Sequence, residues 1–270
     1  MGEKYKSLLN YLKEKERVVI AFSGGVDSTF LLKAAKDALG DNVKAITIKS
    51  PYIPDWEIEE AVDFVKKLDV KHEVIEVPFI DPSIESNPEN RCYLCKNLVF
   101  NKIIEKANEE GYLYVCDGTN LDDTKDYRPG MVALKELGVI SPLLESSYTK
   151  DEIRKQSKVL NLPTWDKPAY ACLMTRLPYD TQVTIDDLKK IEEGEMFVRG
   201  LGFRGVRLRH HGNLARIEVA PDEREKLFST ELLNKIGCKL QEIGYTYVTF
   251  DVLGYRMGSF NVGLKKDVAY

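Results

Sequence analysis

A six-residue turn constrains this chain more than any other stretch. Ser23-Gly24-Gly25-Val26-Asp27-Ser28 follows the apolar run Val18-Val19-Ile20-Ala21-Phe22 and leads into Thr29-Phe30-Leu31-Leu32-Lys33-Ala34-Ala35. The pattern predicts a strand, a tight glycine turn and a helix. Such a turn aims backbone N–H groups and a helix N-terminus at an anion, which suits phosphate. No lysine follows the glycines, so this is not the Gly-x-x-x-x-Gly-Lys loop of γ-phosphoryl transfer. The bland alternative is an ordinary Gly-Gly turn between a strand and a helix.

The surrounding pattern repeats the same units. Residues 3–15 read as an amphipathic helix with Tyr5, Leu8, Leu9 and Leu12 on one side. Strands are expected at 18–22, 43–48, 71–77 and 112–116, with helices at 28–38, 55–68 and 98–107. Alternation of this kind specifies an α/β domain, a Rossmann-like parallel sheet with helices on both faces. Ligands of such sheets sit beyond the carboxyl ends of the strands, so the loops after Phe22, Ile48, Val77 and Cys116 should share one edge. The character changes near residue 145. Helices are expected at 148–160, 185–201 and 221–240, and β segments at 206–209, 214–219 and 245–252. We therefore expect a nucleotide-binding domain over residues 1–147 and a smaller C-terminal α+β domain over 148–270.

Composition narrows the class. The 270 residues are 43% apolar and 30% charged, with a formal net charge of −4 that gives no global attraction to nucleic acid. There is no long apolar run, so neither a signal peptide nor a membrane span is expected, and the protein should be cytoplasmic. Five cysteines, an odd number, argue against a secreted disulfide framework. Cys92 and Cys95 form a Cys-x-x-Cys pair, and Cys172 stands apart in Pro-Ala-Tyr-Ala-Cys-Leu. Cys116 and Cys238 are expected to be buried small apolar side chains.

At the end of the fourth expected strand lies Cys116-Asp117-Gly118-Thr119-Asn120-Leu121-Asp122-Asp123. The sheet rule puts it on the edge that carries the glycine turn, where Asp and Asn side chains suit Mg²⁺ or a ribose. A polar turn is the plain alternative. The glycine turn resembles the PP-loop of the ATP pyrophosphatases. That resemblance implies that Ser23, Gly24, Gly25, Asp27 and Ser28 hold the β and γ phosphates of ATP as a leaving group while a substrate attacks the α phosphate. Gly118, Thr119 and Asn120 join the nucleotide site, and Asp27 and Asp122 are the Mg²⁺ candidates.

Four motifs together resemble the LarE family over nearly the whole chain. They are Ser-Gly-Gly-Val-Asp-Ser; Asp-Gly-Thr-Asn-Leu-Asp-Asp with Asp126-Tyr127-Arg128-Pro129-Gly130; Pro-Ala-Tyr-Ala-Cys-Leu-Met-Thr-Arg; and Gly254-Tyr255-Arg256-Met257-Gly258-Ser259. These are sulfur transferases that help to make the nickel-pincer nucleotide of lactate racemase. The resemblance implies that ATP adenylylates a carboxylate of a pyridinium dicarboxylate mononucleotide and that sulfur displaces AMP to leave a thiocarboxylate. Cys172 matches the sulfur-bearing cysteine, which in sacrificial members ends as dehydroalanine. Arg176 belongs to the same motif. Glu195, Arg207, Arg209, Glu218, Arg256 and Ser259 match positions around the substrate pocket. The residue chemistry agrees, because cations lower a thiol's pKa and arginine forks suit phosphate. For Val206-Arg207-Leu208-Arg209 the plain alternative is a strand with one solvated face. His210 and His211, adjacent in a strand, point to opposite faces and make a poor metal pair.

Other members of the resembling family use a 4Fe-4S cluster on three cysteines, as several tRNA-thiolating relatives do. Sacrificial transfer of the Cys172 sulfur is the alternative to the reading expected here, in which Cys92, Cys95 and Cys172 converge on one cleft and hold such a cluster with one iron open to carry hydrosulfide. Cys172 would then be a ligand and not a consumed reagent. A zinc site, a redox pair and a packed pair remain open, although structural zinc usually wants four ligands. Rivals for the whole chain are a PP-loop tRNA thiolase, an amidating synthetase and a non-catalytic ATP- or redox-sensing iron–sulfur protein. The implied partners are a small mononucleotide, a sulfur donor (hydrosulfide or cysteine-derived) and further copies of the chain in a homo-oligomer, a hexamer of paired trimers among the forms.

Overall fold

The computed structural model of the chain describes residues 2–125, 129–168 and 171–256. It opens with α1 (Glu3–Lys13), β1 (Val18–Ala21), α2 (Val26–Leu39), β2 (Val43–Lys49), α3 (Asp55–Leu68) and β3 (Lys71–Glu76). There follow α4 (Pro82–Glu85), α5 (Arg91–Glu109), β4 (Tyr114–Cys116), α6 (Pro129–Glu136), α7 (Pro142–Glu145) and α8 (Lys150–Val159). The four strands lie in the order β3-β2-β1-β4, all parallel, with Val18 opposite both Val43 and Tyr114. Parallel strands need crossovers, and crossover helices cover both faces, so central β1 is an unbroken apolar run, whereas edge strand β3 carries Lys71, His72, Glu73 and Glu76. The period of two then divides each strand between two cores. Val18 and Ile20 join Tyr5, Leu8 and Leu12 of α1 and Phe30 and Leu31 of α2. Val19 joins Phe100 and Ile103 of α5 and Leu134 of α6.

The chain divides into two compact units, Met1–Ile84 with Glu89–Ala169, and Glu85–Pro88 with Tyr170–Tyr270. Residues 148–168, expected after a boundary at 147, belong with the sheet. The reason is burial: Tyr148, Ile153 and Leu162 sit in the same core as β1 and α2.

The second unit contains α9 (Ile185–Gly200), β5 (Arg207–His211), β6 (Leu214–Glu218), α10 (Thr230–Ile243) and β7 (Tyr247–Phe250). β5 pairs with β6 antiparallel, and β7 pairs with β6 parallel. Gly194 lets α9 lie close over this sheet, since a Cβ there would overlap Leu208 Cδ1 and stand 2.9 Å from Leu240 Cδ2. The single helix expected over 221–240 is two elements. A 3-10 turn (Pro221–Phe228) ends at the extended Ser229, whose side chain accepts from the Leu232 N–H and starts α10 anew. Cys116 is buried as expected, but Cys238 is exposed on α10. Among the described residues no helix is long and apolar enough to cross a membrane.

Candidate active site

The turn from β1 to α2 is built by its glycines. Gly24 adopts φ +67, a region glycine enters without steric cost, and a Cβ there would stand 3.1 Å from the Cβ of Ala61 on α3. Gly25 is the N-cap of α2. The Ser23 and Ser28 hydroxyls lie 3.1 Å apart, and Ser28 donates to the Gly25 carbonyl at 3.3 Å. The first N–H groups of α2 have no acceptor within the helix and lie where an anion would meet them.

Gly118 brings the loop after β4 hard against this turn: an added Cβ would meet the Ser28 nitrogen at 3.0 Å and Asp27 Cβ at 3.2 Å. Asn120 Nδ2 donates to Asp27 Oδ1 at 3.4 Å. Thr119 donates its hydroxyl to buried Asp117, which also accepts from Ser141 Oγ at 2.6 Å. Asp27, Gly118 and Asn120 are thus brought together at the carboxyl edge of the sheet. Asp122 is engaged differently. Its Oδ1 accepts from Lys125 Nζ at 2.7 Å and its Oδ2 from the Lys150 backbone N–H at 2.7 Å.

Two lysines that the sequence reading missed complete this unit. Lys150, the first residue of α8, donates its ammonium to Asp27 Oδ2. Lys167 donates to the Gly24 carbonyl at 3.1 Å and to Glu60 Oε2 at 2.7 Å, with its ammonium 5.5 Å from the centre of the Trp56 ring. Burial pushes the Asp27 pKa up, and Lys150 opposes that shift by favouring the carboxylate. The cation absent from the turn itself is therefore supplied from residues 123 and 143 positions away. No local pattern marks either lysine; only the cap-like Thr149 hints that a helix starts beside Lys150.

Cys92 and Cys95 lie in the first two turns of α5, which begins at Arg91 and not at the expected Leu98. Spaced three apart, they share one helical face. Cys92 is exposed, and the Cys95 thiol donates to the Tyr52 hydroxyl at 3.7 Å, in the loop after β2. A helix N-terminus favours thiolate. Their chemistry suits an iron–sulfur site, but among the described residues no group of three or more His, Cys, Asp or Glu gathers to hold a metal ion. The fit is therefore incomplete.

The second unit holds the other predicted residues. Cys172, partly exposed, heads a 3-10 turn (Leu173–Arg176). Its carbonyl accepts from the Thr175 N–H at 3.0 Å and hydroxyl at 2.9 Å and from Arg176 Nη1 at 3.2 Å. Arg176 also donates to the Ala171 carbonyl at 2.7 Å and is held by Glu195 through two bonds of 2.8 and 2.9 Å. Glu195 Oε1 accepts a further bond from the Leu208 N–H at 2.9 Å. Arg209 reaches the Thr175 carbonyl at 2.8 Å and Glu218 at 2.7 Å. Arg207 is buried, its guanidinium 4.9 Å from the centre of the Tyr255 ring; burial lowers its pKa, and the Arg176 charge lowers it further. Among the described residues, buried Arg176, Arg207 and Arg209 gather with buried Glu195 and Glu218. The plain alternative of a solvated face does not hold for Arg207 and Arg209, which are both buried. His210 is structural, its Nδ1 3.0 Å from the Tyr245 hydroxyl. Arg256 is exposed. Ser259, with the motif residues Asp126, Tyr127, Arg128, Ala169, Tyr170, Met257 and Gly258, lies outside the described residues.

A glycine turn without its own lysine, at the carboxyl edge of a parallel sheet, is the arrangement of the PP-loop ATP pyrophosphatases. The family model described as NAD synthase matches residues 2–103. An argininosuccinate synthase of Pyrococcus furiosus is 31% identical over 56% of this chain and 40% of its own. Two similarities run much further. The pyridinium-3,5-bisthiocarboxylic acid mononucleotide synthase of Lactiplantibacillus plantarum is 35% identical over 98% of this chain and 96% of its own. An uncharacterized protein of Synechocystis sp. is 41% identical over 98% of this chain and 100% of its own. The chain belongs to the LarE family.

Proposed function

We propose that this protein is an ATP-dependent sulfur transferase. It adenylylates a carboxylate of a pyridinium dicarboxylate mononucleotide and converts it to a thiocarboxylate, releasing pyrophosphate and AMP. The observation that carries the reading is Cys172, partly exposed at the head of a turn held by buried Arg176 and Arg209, in a chain that also has the pyrophosphate turn. Ser23, Gly24, Gly25 and Ser28 take the pyrophosphate end of ATP through N–H groups and hydroxyls, and Gly118, Thr119 and Asn120 complete the nucleotide site. Asp27 fits Mg²⁺, because a cation, Lys150, already lies against its carboxylate. Asp122, the other Mg²⁺ candidate, accepts from Lys125 and from the N–H that starts α8, and so also sets where Lys150 lies. When bound, Mg²⁺ would neutralise phosphate charge and so ease pyrophosphate departure.

The substrate carboxylate attacks the α phosphorus and the bond to pyrophosphate breaks. The Cys172 thiolate then attacks the acyl-adenylate carbon and AMP leaves. Loss of the cysteine Cα proton breaks the Cβ–S bond, leaving a thiocarboxylate and dehydroalanine at position 172. Arg207, Arg209 and Arg256 bind the anionic groups of the mononucleotide, while Glu195 and Glu218 fix Arg176 and Arg209. A second reading, sulfur delivery by a 4Fe-4S cluster on Cys92, Cys95 and Cys172, is supported by the thiol pair on one face of α5; no step is derived through it. A cytoplasmic homo-oligomer fed by hydrosulfide or cysteine-derived sulfur belongs to the same proposal.

The test measures pyrophosphate release from ATP with and without the mononucleotide, on protein purified without oxygen. Release that requires the mononucleotide, and thiocarboxylate that is lost in Cys172→Ser, is the expected result. Pyrophosphate release indifferent to the mononucleotide would sink the reading. Iron and acid-labile sulfide near one cluster per chain would select the second route; a Cys172 peptide lighter by one H₂S after turnover would select the first.

A further inference from the structure

Four residues sit in the wrong unit for their place in the chain. Glu85–Pro88 groups with the second unit, although the residues on both sides belong to the first. Ordering such an excursion costs backbone entropy. Its central residue shows what offsets this.

Asn87 is fully buried, at 0% exposure, with φ +53, a region where Asn is several-fold enriched over other side chains. Its Nδ2 donates to the Pro178 carbonyl at 2.7 Å, to the Leu177 carbonyl at 3.1 Å and, more weakly, to the Met174 carbonyl at 3.4 Å. The backbone follows the same path: the Asp180 N–H donates to the Asn87 carbonyl at 3.2 Å, and the Val183 N–H to the Glu85 carbonyl at 2.8 Å. All the side-chain neighbours are carbonyls, so the orientation of the amide is settled by chemistry. Its Oδ1, buried with no donor among the described residues, cannot replace Nδ2 there.

The segment gripped is the continuation of the Cys172 turn. An irregular buried turn cannot satisfy its carbonyls from its own N–H groups, and each one left unmet is costly. Arg176 takes the carbonyls of Ala171 and Cys172, and Arg209 takes that of Thr175. Asn87 takes those of Met174, Leu177 and Pro178. The turn is clamped at its start by arginines and at its end by one amide. We infer that Asn87 is a positioning residue that fixes the turn carrying the Cys172 thiol. This rests on the sulfur-transfer reading given above.

The experiment compares wild type with Asn87→Gly, which keeps the backbone conformation and removes the amide. The single-turnover rate of thiocarboxylate formation should fall roughly 10- to 100-fold, as for a misplaced reacting group. The half-saturating ATP concentration and mononucleotide-dependent pyrophosphate release should stay within about twofold. The rate at which iodoacetamide alkylates Cys172, read by peptide mass, should change as well, and amide exchange across 171–183 should accelerate. An unchanged single-turnover rate and unchanged alkylation in folded protein would overturn the inference. So would equal loss of both half-reactions in proportion to unfolded protein, which marks a structural role only. If Asn87→Gly does not fold, Asn87→Ser is read in the same way. If wild type makes no thiocarboxylate, the function reading fails, but alkylation and exchange still decide whether Asn87 positions Cys172.

Discussion

At the scale of single residues, the nucleotide site is defined by small side chains and a distant cation. Gly24 and Gly118 allow the turn, α3 and the loop after β4 to approach within van der Waals limits, and any side chain at either place would push them apart. Lys150 brings to the turn the positive charge that it lacks, resting on Asp27. A charge-assisted hydrogen bond to phosphate contributes about 1.5–3 kcal/mol. On the proposed reading, Lys150→Ala should therefore raise the half-saturating ATP concentration roughly 10- to 100-fold, with far-UV circular dichroism unchanged and Lys150→Arg recovering part of the loss. Single-turnover rates with ATP varied would check this; an unaltered half-saturating ATP concentration would remove Lys150 from the site.

At the scale of elements, α8 owes its start to a reciprocal cap. The Thr149 hydroxyl accepts from the Glu152 N–H at 3.3 Å, and the Glu152 carboxylate accepts from the Thr149 N–H at 2.9 Å. This start sets where Lys150 lies, and Asp122 reinforces it through the Lys150 N–H. Thr149→Ala should cost about 1 kcal/mol of stability, measured by urea unfolding, since a lost N-cap costs that much. In α5 the helix begins seven residues ahead of its obvious apolar stretch, with the Asn90 carbonyl accepting from the Tyr93 and Leu94 N–H groups, so that both cysteines lie near its start. The polar face of that start hid it from periodicity, although the Cys-x-x-Cys spacing itself was plain.

At the scale of the whole molecule, acid should act on the fold in two stages. Burial lowers the pKa of each of the three histidines, His72, His210 and His211. A folded pKa below the unfolded one means stability that is present above about pH 6.5 and lost as pH falls through the folded values. Several carboxyls behave alike at lower pH. Glu152 is depressed by Lys4, Glu110 by Lys44, Asp122 by Lys125 and Asp81 by Ser83. Their contribution is present above about pH 4 and lost below it. Asp27, raised by burial, opposes this trend as a single group. The thermal midpoint should be highest above about pH 7, fall first near pH 6 and again below about pH 4. A midpoint that stays level from pH 7.5 to pH 4 would contradict this.

What the sequence determined by itself is whatever depends on neighbours along the chain. Ser23 to Ser28 named its turn, and the spacing of Val18 to Phe22 and of the later apolar runs implied parallel strands covered on both faces. Strand period, helix period and glycine turns act over a few residues, so they survive without the fold. Tertiary structure alone decided that Lys150 and Lys167 serve the glycine turn, and that Arg207 and Arg209 are buried beside carboxylates. It also decided that residues 148–168 stay with the sheet and that Asn87 leaves its neighbours to hold the Cys172 turn. Each of these joins residues far apart in the chain, where the partner is chosen by which cores bury together and which carbonyls remain to be satisfied.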